Sequence, residues 1–173
     1  MARLFVAVWP PEDVVAELMA LGRKDRRGVR FVHPERWHVT LRFLGECDPG
    51  AAHAALDGAV LPAAHARLGP AVDVLAERVL VVPVTGLDGL AAAVTVATAD
   101  LGEPPRRRFT GHLSLARIDR RARGRLPDTL GAMVSASFDV EDVALVQSRR
   151  DQRGLRYETL ASWPVSTAPS TPG

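Results

Sequence analysis

His38-Val39-Thr40-Leu41 and His112-Leu113-Ser114-Leu115 share one pattern: histidine, apolar, hydroxyl, apolar. On a β-strand, residues two apart point to the same face. His38 and Thr40 therefore look one way and Val39 and Leu41 the other, and His112 and Ser114 part from Leu113 and Leu115 in the same manner. Each segment reads as a strand that packs an apolar face into a core and offers an imidazole and a hydroxyl on its open face. One such segment says little, because a histidine on a strand is more often a hydrogen-bonded, half-buried residue. Two of them, in the two halves of the chain, point to function.

Working outward, residues 3–9 alternate and are rich in β-branched and aromatic side chains, so they predict a strand. Pro10-Pro11-Glu12-Asp13 opens a helix, with proline early, acids in the first turn and Val14, Val15, Leu18 and Met19 at helical spacing. Residues 29–32 and 37–43 predict strands, 51–60 a helix, and 72–84 two strands with a hairpin around Glu77-Arg78. A helix is expected over 86–101, a strand over 112–117, and a helix or loop over 121–131. Three strands, over 134–140, 143–148 and 155–163, close the pattern. Helices and strands mix without regular βαβ alternation, so the expected class is α+β with antiparallel sheets. A single domain over 1–165 is expected, with 166–173, rich in Ser, Thr and Pro, as a disordered tail.

The chain of 173 residues is 47% hydrophobic and 24% charged, which excludes wholesale disorder and fibrous repeats. No apolar run approaches the length of a membrane span. The opening apolar stretch closes on Pro10-Pro11 and is too short for a signal peptide. With a single cysteine, Cys47, the expectation is a cytoplasmic protein without disulfides or a cysteine-rich zinc site. Of 22 basic residues only Lys24 is lysine, leaving 21 arginines. Eight of these fall between Arg106 and Arg125 against one acid, Asp119. A GC-rich genome is one explanation; a surface for an anionic partner is the other, since the planar guanidinium fork suits phosphate oxygens.

Two imidazoles that titrate near neutrality can serve as general acid and general base together. Two hydroxyls can donate to the non-bridging oxygens of a phosphate. The set implies in-line attack on phosphorus, one histidine taking a proton from water and the other giving one to the departing oxygen. No GxxxxGK[ST] loop is present, so no nucleotide cofactor is expected. His33, His38 and His112 match no standard ligand spacing, so no metal is expected either.

The two motifs resemble those of the two-histidine phosphoesterases, in particular the branch of RNA 2′,3′-cyclic phosphodiesterases historically called bacterial 2′-5′ RNA ligases. The likeness extends to Arg3-Leu4-Phe5-Val6-Ala7, to the run from Trp37 to Glu46, to His112–Arg117, to Leu145-Val146-Gln147-Ser148 and to Gly154–Leu160, in order and spacing. It implies two pseudo-symmetric lobes around a central cleft, flanked by helices, each giving one motif strand. It implies opening of a terminal 2′,3′-cyclic phosphate to a 2′-phosphate, with His38 as proton donor and His112 as proton acceptor. Strand geometry alone is symmetric between the two. Ser114 stands where threonine is commoner, which keeps the hydroxyl and loses the methyl that restrains its rotamer. Gly111 stands where many relatives carry proline, which loosens the approach to the strand.

Around the motifs, Arg42 shares strand parity with His38 and Thr40, so it is either a substrate contact or an exposed rim charge. Phe43 either stacks a base or, with the parity of Val39 and Leu41, packs in the core. Arg117 has the wrong parity to face the cleft unless the strand ends or bulges; the resemblance favours it as a phosphate or substrate contact. Tyr157, the only tyrosine, is a candidate for the cleft edge. His33, His53, His65 and Cys47 read as incidental. The expected partners are RNA ends or nucleotides bearing a 2′,3′-cyclic phosphate, bound by a monomer and without a membrane. A 2′-5′ ligase, a phosphodiesterase for small cyclic nucleotides and a non-catalytic RNA-binding module are the alternatives.

Overall fold

The computed structural model describes residues 1–120, 122 and 127–167. Its elements are β1 (Ala2–Val8), α1 (Glu12–Met19), β2 (Val29–Phe31), a 3-10 turn (Pro34–Arg36), β3 (Val39–Cys47), α2 (Pro49–Asp57) and β4 (His65–Leu68). They continue with β5 (Asp73–Leu75), β6 (Val79–Thr85), α3 (Asp88–Ala97), β7 (His112–Ile118), β8 (Ala136–Asp139), β9 (Asp142–Asp151) and β10 (Gly154–Pro164). The sheet runs in the order β10-β9-β1-β3-β7-β6-β4-β8, with β2 beside β7 and β5 beside β6. Every pairing among these strands is antiparallel. The expected α+β class with antiparallel sheets is the class observed.

The sheet has two halves, β10-β9-β1-β3 and β7-β6-β4-β8, which meet through a single residue pair, Val39 opposite Leu113. The helices are exchanged between them. α1 follows β1 in the first half and packs against β8 of the second, while α3 follows β6 in the second and packs against β3 of the first. This reciprocal crossing is the pseudo-two-fold arrangement expected of the chain.

The helices form where apolar spacing and capping agree. α1 buries Val14 and Leu18, one turn apart, and carries Glu12 and Asp13 in its first turn, where acids complement the helix dipole. α2 is capped by Asp48, whose carboxylate accepts the backbone N–H of Ala51 at 2.8 Å, and it buries Ala52 and Leu56. α3 buries Leu90, Ala91 and Val94. Full burial of each such leucine is worth about 1.5–3 kcal/mol. One apolar core joins both halves, and a smaller cluster of Phe5, Ala7, Ala144 and Val146, with Trp9 and Tyr157 against it, lies on the other face of β1 and β9. β1 is thus covered on both faces.

The strand β4 was not expected. Only Ala66 and Leu68 of its four residues are buried, too short an alternation to stand out from the surrounding loop. Helix α3 ends four residues before the expected limit, at Ala97, with Thr98 turning its hydroxyl back to the carbonyl of Val94. Within 121–131, Arg121 and residues 123–126 lie outside the described residues, and so do 168–173 of the expected tail. Among the described residues no helix is long and apolar enough to cross a membrane.

Candidate active site

The pair Val39–Leu113 aligns the middle residues of the two motifs. In an antiparallel register, one step along sets His38 level with Ser114 and Thr40 level with His112. The pseudo-two-fold therefore passes between the motifs and turns both imidazoles and both hydroxyls into one cleft. His38, Thr40, His112 and Ser114 all line it, and its volume is about 820 Å³. Trp37, 1% exposed, anchors the chain just before His38.

Both imidazoles are held alike. Nδ1 of His38 donates to the carbonyl of Arg36 at 2.6 Å, and Nδ1 of His112 donates to the carbonyl of Thr110 at 2.8 Å. A carbonyl only accepts, so each Nδ1 keeps its proton and Nε2 is the atom left for chemistry. Nε2 of His38 meets the hydroxyl of Thr40 at 3.1 Å.

His38 sits among three aromatic rings. Its centroid lies 4.9 Å from Phe5, 5.5 Å from Trp9 and 5.2 Å from Tyr157, the last edge-on at 90°. Burial in this cage pushes the imidazole pKa below its ordinary value; the hydrogen bond to Arg36 opposes the shift, and the charge of His112 adds to it. The sign for stability follows. The unfolded chain binds more protons than the folded one below about pH 6.5, so stability is lost as pH falls through that value. Denaturant midpoints across pH 5–8 should decline toward acid, and His38→Gln should flatten that decline; an unchanged slope would remove His38 as its source.

Two β-bulges decide which neighbours reach the cleft. On β7, Val81 faces Ser114 and Leu80 faces Ala116, so Leu115 is an extra residue. On β3, Ala7 faces Thr40 and Val6 faces Arg42, so Leu41 is extra in the same way. Both bulges fall three residues after the histidine and reverse the alternation beyond it, a common device for re-aiming a side chain. Phe43 and Arg117, each five residues after a histidine, consequently return to the cleft. Phe43 is 39% exposed rather than packed in the core.

The same bulge corrects the reading of Arg42. It is 4% exposed and lies outside the cleft between the histidines. Its guanidinium donates to the carbonyls of Thr95 and Leu101 at 3.0 Å and of Glu103 at 3.4 Å. Thr95 lies in the last turn of α3, which has no basic residue of its own there, so Arg42 caps that helix from β3. Arg42 is a buried structural cation outside the cleft between the histidines, not an exposed rim charge.

Tyr157 lines the cleft and closes the cage around His38. Residues to which the sequence assigned no site role also line it: Arg3, Phe5, Arg36, Gln147, Ser148 and Arg150. Arg3, Arg36, Arg117 and Arg150 face one acid, Glu46, across its walls, so the cleft favours an anion. Of the basic run 106–125, Arg117 lines this cleft, whereas Arg121, Arg123 and Arg125 lie outside the described residues. The remaining histidines stand elsewhere: His33 near Glu35 at 3.7 Å, His53 against Trp163, and His65 bonded to Asp139 at 2.8 Å. Among the described residues, no three His, Cys, Asp or Glu side chains gather as a metal site.

Gly111 does not loosen the start of β7. A Cβ there would lie 2.2 Å from the carbonyl oxygen of Val84, whose N–H donates to the carbonyl of Gly111 at 2.9 Å. Gly111→Ala should therefore displace the backbone that positions His112. A stability loss of about 1–3 kcal/mol is expected from overpacking. A loss of about 10–100-fold in turnover is expected from the misplaced imidazole, measured well below the melting temperature. Turnover equal to that of the native protein would show that the strand start has slack.

The model of the LigT like phosphoesterase family matches residues 8–66, which include the first motif. A Geobacillus stearothermophilus protein named RNA 2′,3′-cyclic phosphodiesterase is 31% identical over 153 residues, covering 80% of this chain and 48% of that protein. The chain thus spans about half the length of the curated relative it matches. A solved Thermus thermophilus structure superposes with a TM-score of 0.73 at 27% identity, over 94% of this chain and 97% of that one. The crystal structure of E. coli LigT complexed with 3′-AMP shares the fold, with a TM-score of 0.76 at 23% identity, over 96% of this chain and 99% of that one. Motifs, topology and sequence likeness agree: the chain is similar to the LigT-like phosphoesterases, through the family model over residues 8–66 and the relatives above.

Proposed function

We propose that the protein is an RNA 2′,3′-cyclic phosphodiesterase that opens a terminal 2′,3′-cyclic phosphate to a 2′-phosphate. The observation that carries this reading is the Val39–Leu113 pair, which turns two equivalently tethered imidazoles into one arginine-rich cleft. The name of the Geobacillus stearothermophilus relative supports the same substrate.

In this mechanism water attacks phosphorus in line with the bond to the ribose 3′-oxygen. Nε2 of His112 takes a proton from the water as the new P–O bond forms. Nε2 of His38 gives its proton to the 3′-oxygen as that P–O bond breaks, leaving a 2′-phosphate and a 3′-hydroxyl. Thr40 and Ser114 donate to the non-bridging oxygens, so the Thr40 hydroxyl turns from His38 to the substrate. Arg117 supplies a further cation beside the phosphate, and Phe43 and Tyr157 offer ring faces and edges to the nucleoside. The aromatic cage makes a charged His38 costly while the cleft is empty; the incoming phosphate anion offsets that cost. The two imidazoles supply both proton transfers, so the mechanism asks nothing of a metal.

Incubation with a cyclic-phosphate-ended oligoribonucleotide in the presence of chelator, with identification of the product isomer, tests this reading. A 2′-phosphate product is expected. A 3′-phosphate product, or turnover that requires added divalent metal, would overturn it. Ligation of 2′-5′ ends is the same displacement with a 5′-hydroxyl in place of the attacking water, and the same incubation with a 5′-hydroxyl acceptor measures it.

A further inference from the structure

A second hollow of about 600 Å³ adjoins the cleft and shares Arg3, Thr40, Phe43 and His112 with it. We propose that it holds the nucleotide preceding the terminal one, so that the preferred substrate is an oligonucleotide end rather than a mononucleotide. The proposal rests on the phosphodiesterase reading above and deepens it. Each hollow falls within the ~300–1,000 Å³ typical of sites for one small ligand, and together they accommodate two consecutive nucleotides.

The walls have the mixed chemistry of a nucleotide. Pro104, Pro105 and Phe109 give it an apolar side that includes one aromatic ring, and base stacking on an aromatic ring tolerates any base. Arg106 and Arg107 stand beside them, exposed. Arg106 is paired with Glu103 at 2.9 Å, whereas Arg107 makes no ion pair among the described residues and is the cation left for a phosphate. At the saddle between the hollows, the Arg3 guanidinium lies 5.0 Å from the centroid of Phe43, where the linking phosphate of two nucleotides would pass. The wall is preformed, because Arg42 holds the carbonyls of Leu101 and Glu103 directly before the 104–109 segment. A mononucleotide in the cleft leaves Pro104, Pro105, Phe109 and Arg107 unused.

Calorimetric titration of a ribodinucleotide ending in a 2′-phosphate, beside the matching nucleoside 2′-phosphate, tests the proposal on the native protein, Arg107→Ala and Arg107→Glu. The native protein should bind the dinucleotide at least about tenfold more tightly, a gap of about 1.4 kcal/mol. Charge reversal at Arg107 should close most of the gap, and the dinucleotide should lose affinity more steeply with salt than the mononucleotide does. Arg107 is exposed, so the variants keep the fold. Equal affinities in the native protein, or variants that weaken both ligands alike, would overturn the proposal. Turnover of the cyclic-phosphate forms is read on the same samples. An intact gap without turnover overturns the hydrolytic reading and upholds the second subsite; turnover without a gap does the opposite.

Discussion

Replacing His38 or His112 with alanine should each lower kcat on a 2′,3′-cyclic-phosphate substrate by about 10²–10⁴-fold, the usual worth of one general acid or base. In the proposed mechanism the two imidazoles serve opposite ends of one displacement, so the double variant should lose less than the product of the single losses. Thr40→Ala and Ser114→Ala should cost less, about 1.5–3 kcal/mol of transition-state stabilisation, the range for a hydrogen bond to a charged group. Thr40→Ala also frees Nε2 of His38 from its 3.1 Å contact and so tests whether that contact only parks the imidazole. Single-turnover rates, which are insensitive to product release, are the measurement. Near-native turnover in either histidine variant would remove the paired mechanism.

Arg42→Ala should be the largest loss of stability among the residues near the cleft. It deletes three hydrogen bonds from a charged, buried donor and leaves the carbonyls of Thr95, Leu101 and Glu103 without those partners in a half-buried setting. Hydrogen bonds to charged groups contribute about 1.5–3 kcal/mol each and overlap when they share a donor group, so a total of about 3–5 kcal/mol is expected. At roughly 2–4 °C per kcal/mol for a chain of this size, the melting temperature should fall by about 10 °C. Turnover of a mononucleotide at a temperature where the variant is folded should change far less. A variant with native melting behaviour and a raised KM would instead restore Arg42 to the substrate site.

Arg42, Phe43 and Arg117 show what was legible in the sequence and what was not. The motif pairs were readable because period-two alternation holds across each four-residue segment, and the structure places all four polar side chains in one cleft. The same alternation misplaced Arg42 and left Phe43 and Arg117 undecided, because a bulge adds one residue and inverts every parity beyond it. Nothing in Leu41 or Leu115 announces a bulge. The hint lay in the repetition: the extra residue falls at the same offset in both motifs, where Leu41-Arg42 and Leu115-Ala116 are buried side by side. The aromatic cage was hidden for another reason. Phe5, Trp9 and Tyr157 come from β1, the residue after it, and β10, and only the sheet order β10-β9-β1-β3 brings them to His38. The α+β class survived local errors because it needs only the mixture and order of elements, whereas β4, with two buried residues, carries almost no periodic signal.

The division of labour between the two imidazoles is tested most directly by changing the leaving group. A phosphodiester that expels nitrophenolate no longer needs a proton from the general acid. On that substrate His38→Ala should recover most of the activity it lost on the cyclic phosphate, while His112→Ala stays slow because the attacking water still needs a base. Recovery in His112→Ala alone would exchange the roles, and equal losses in both variants on both substrates would contradict the acid–base pair.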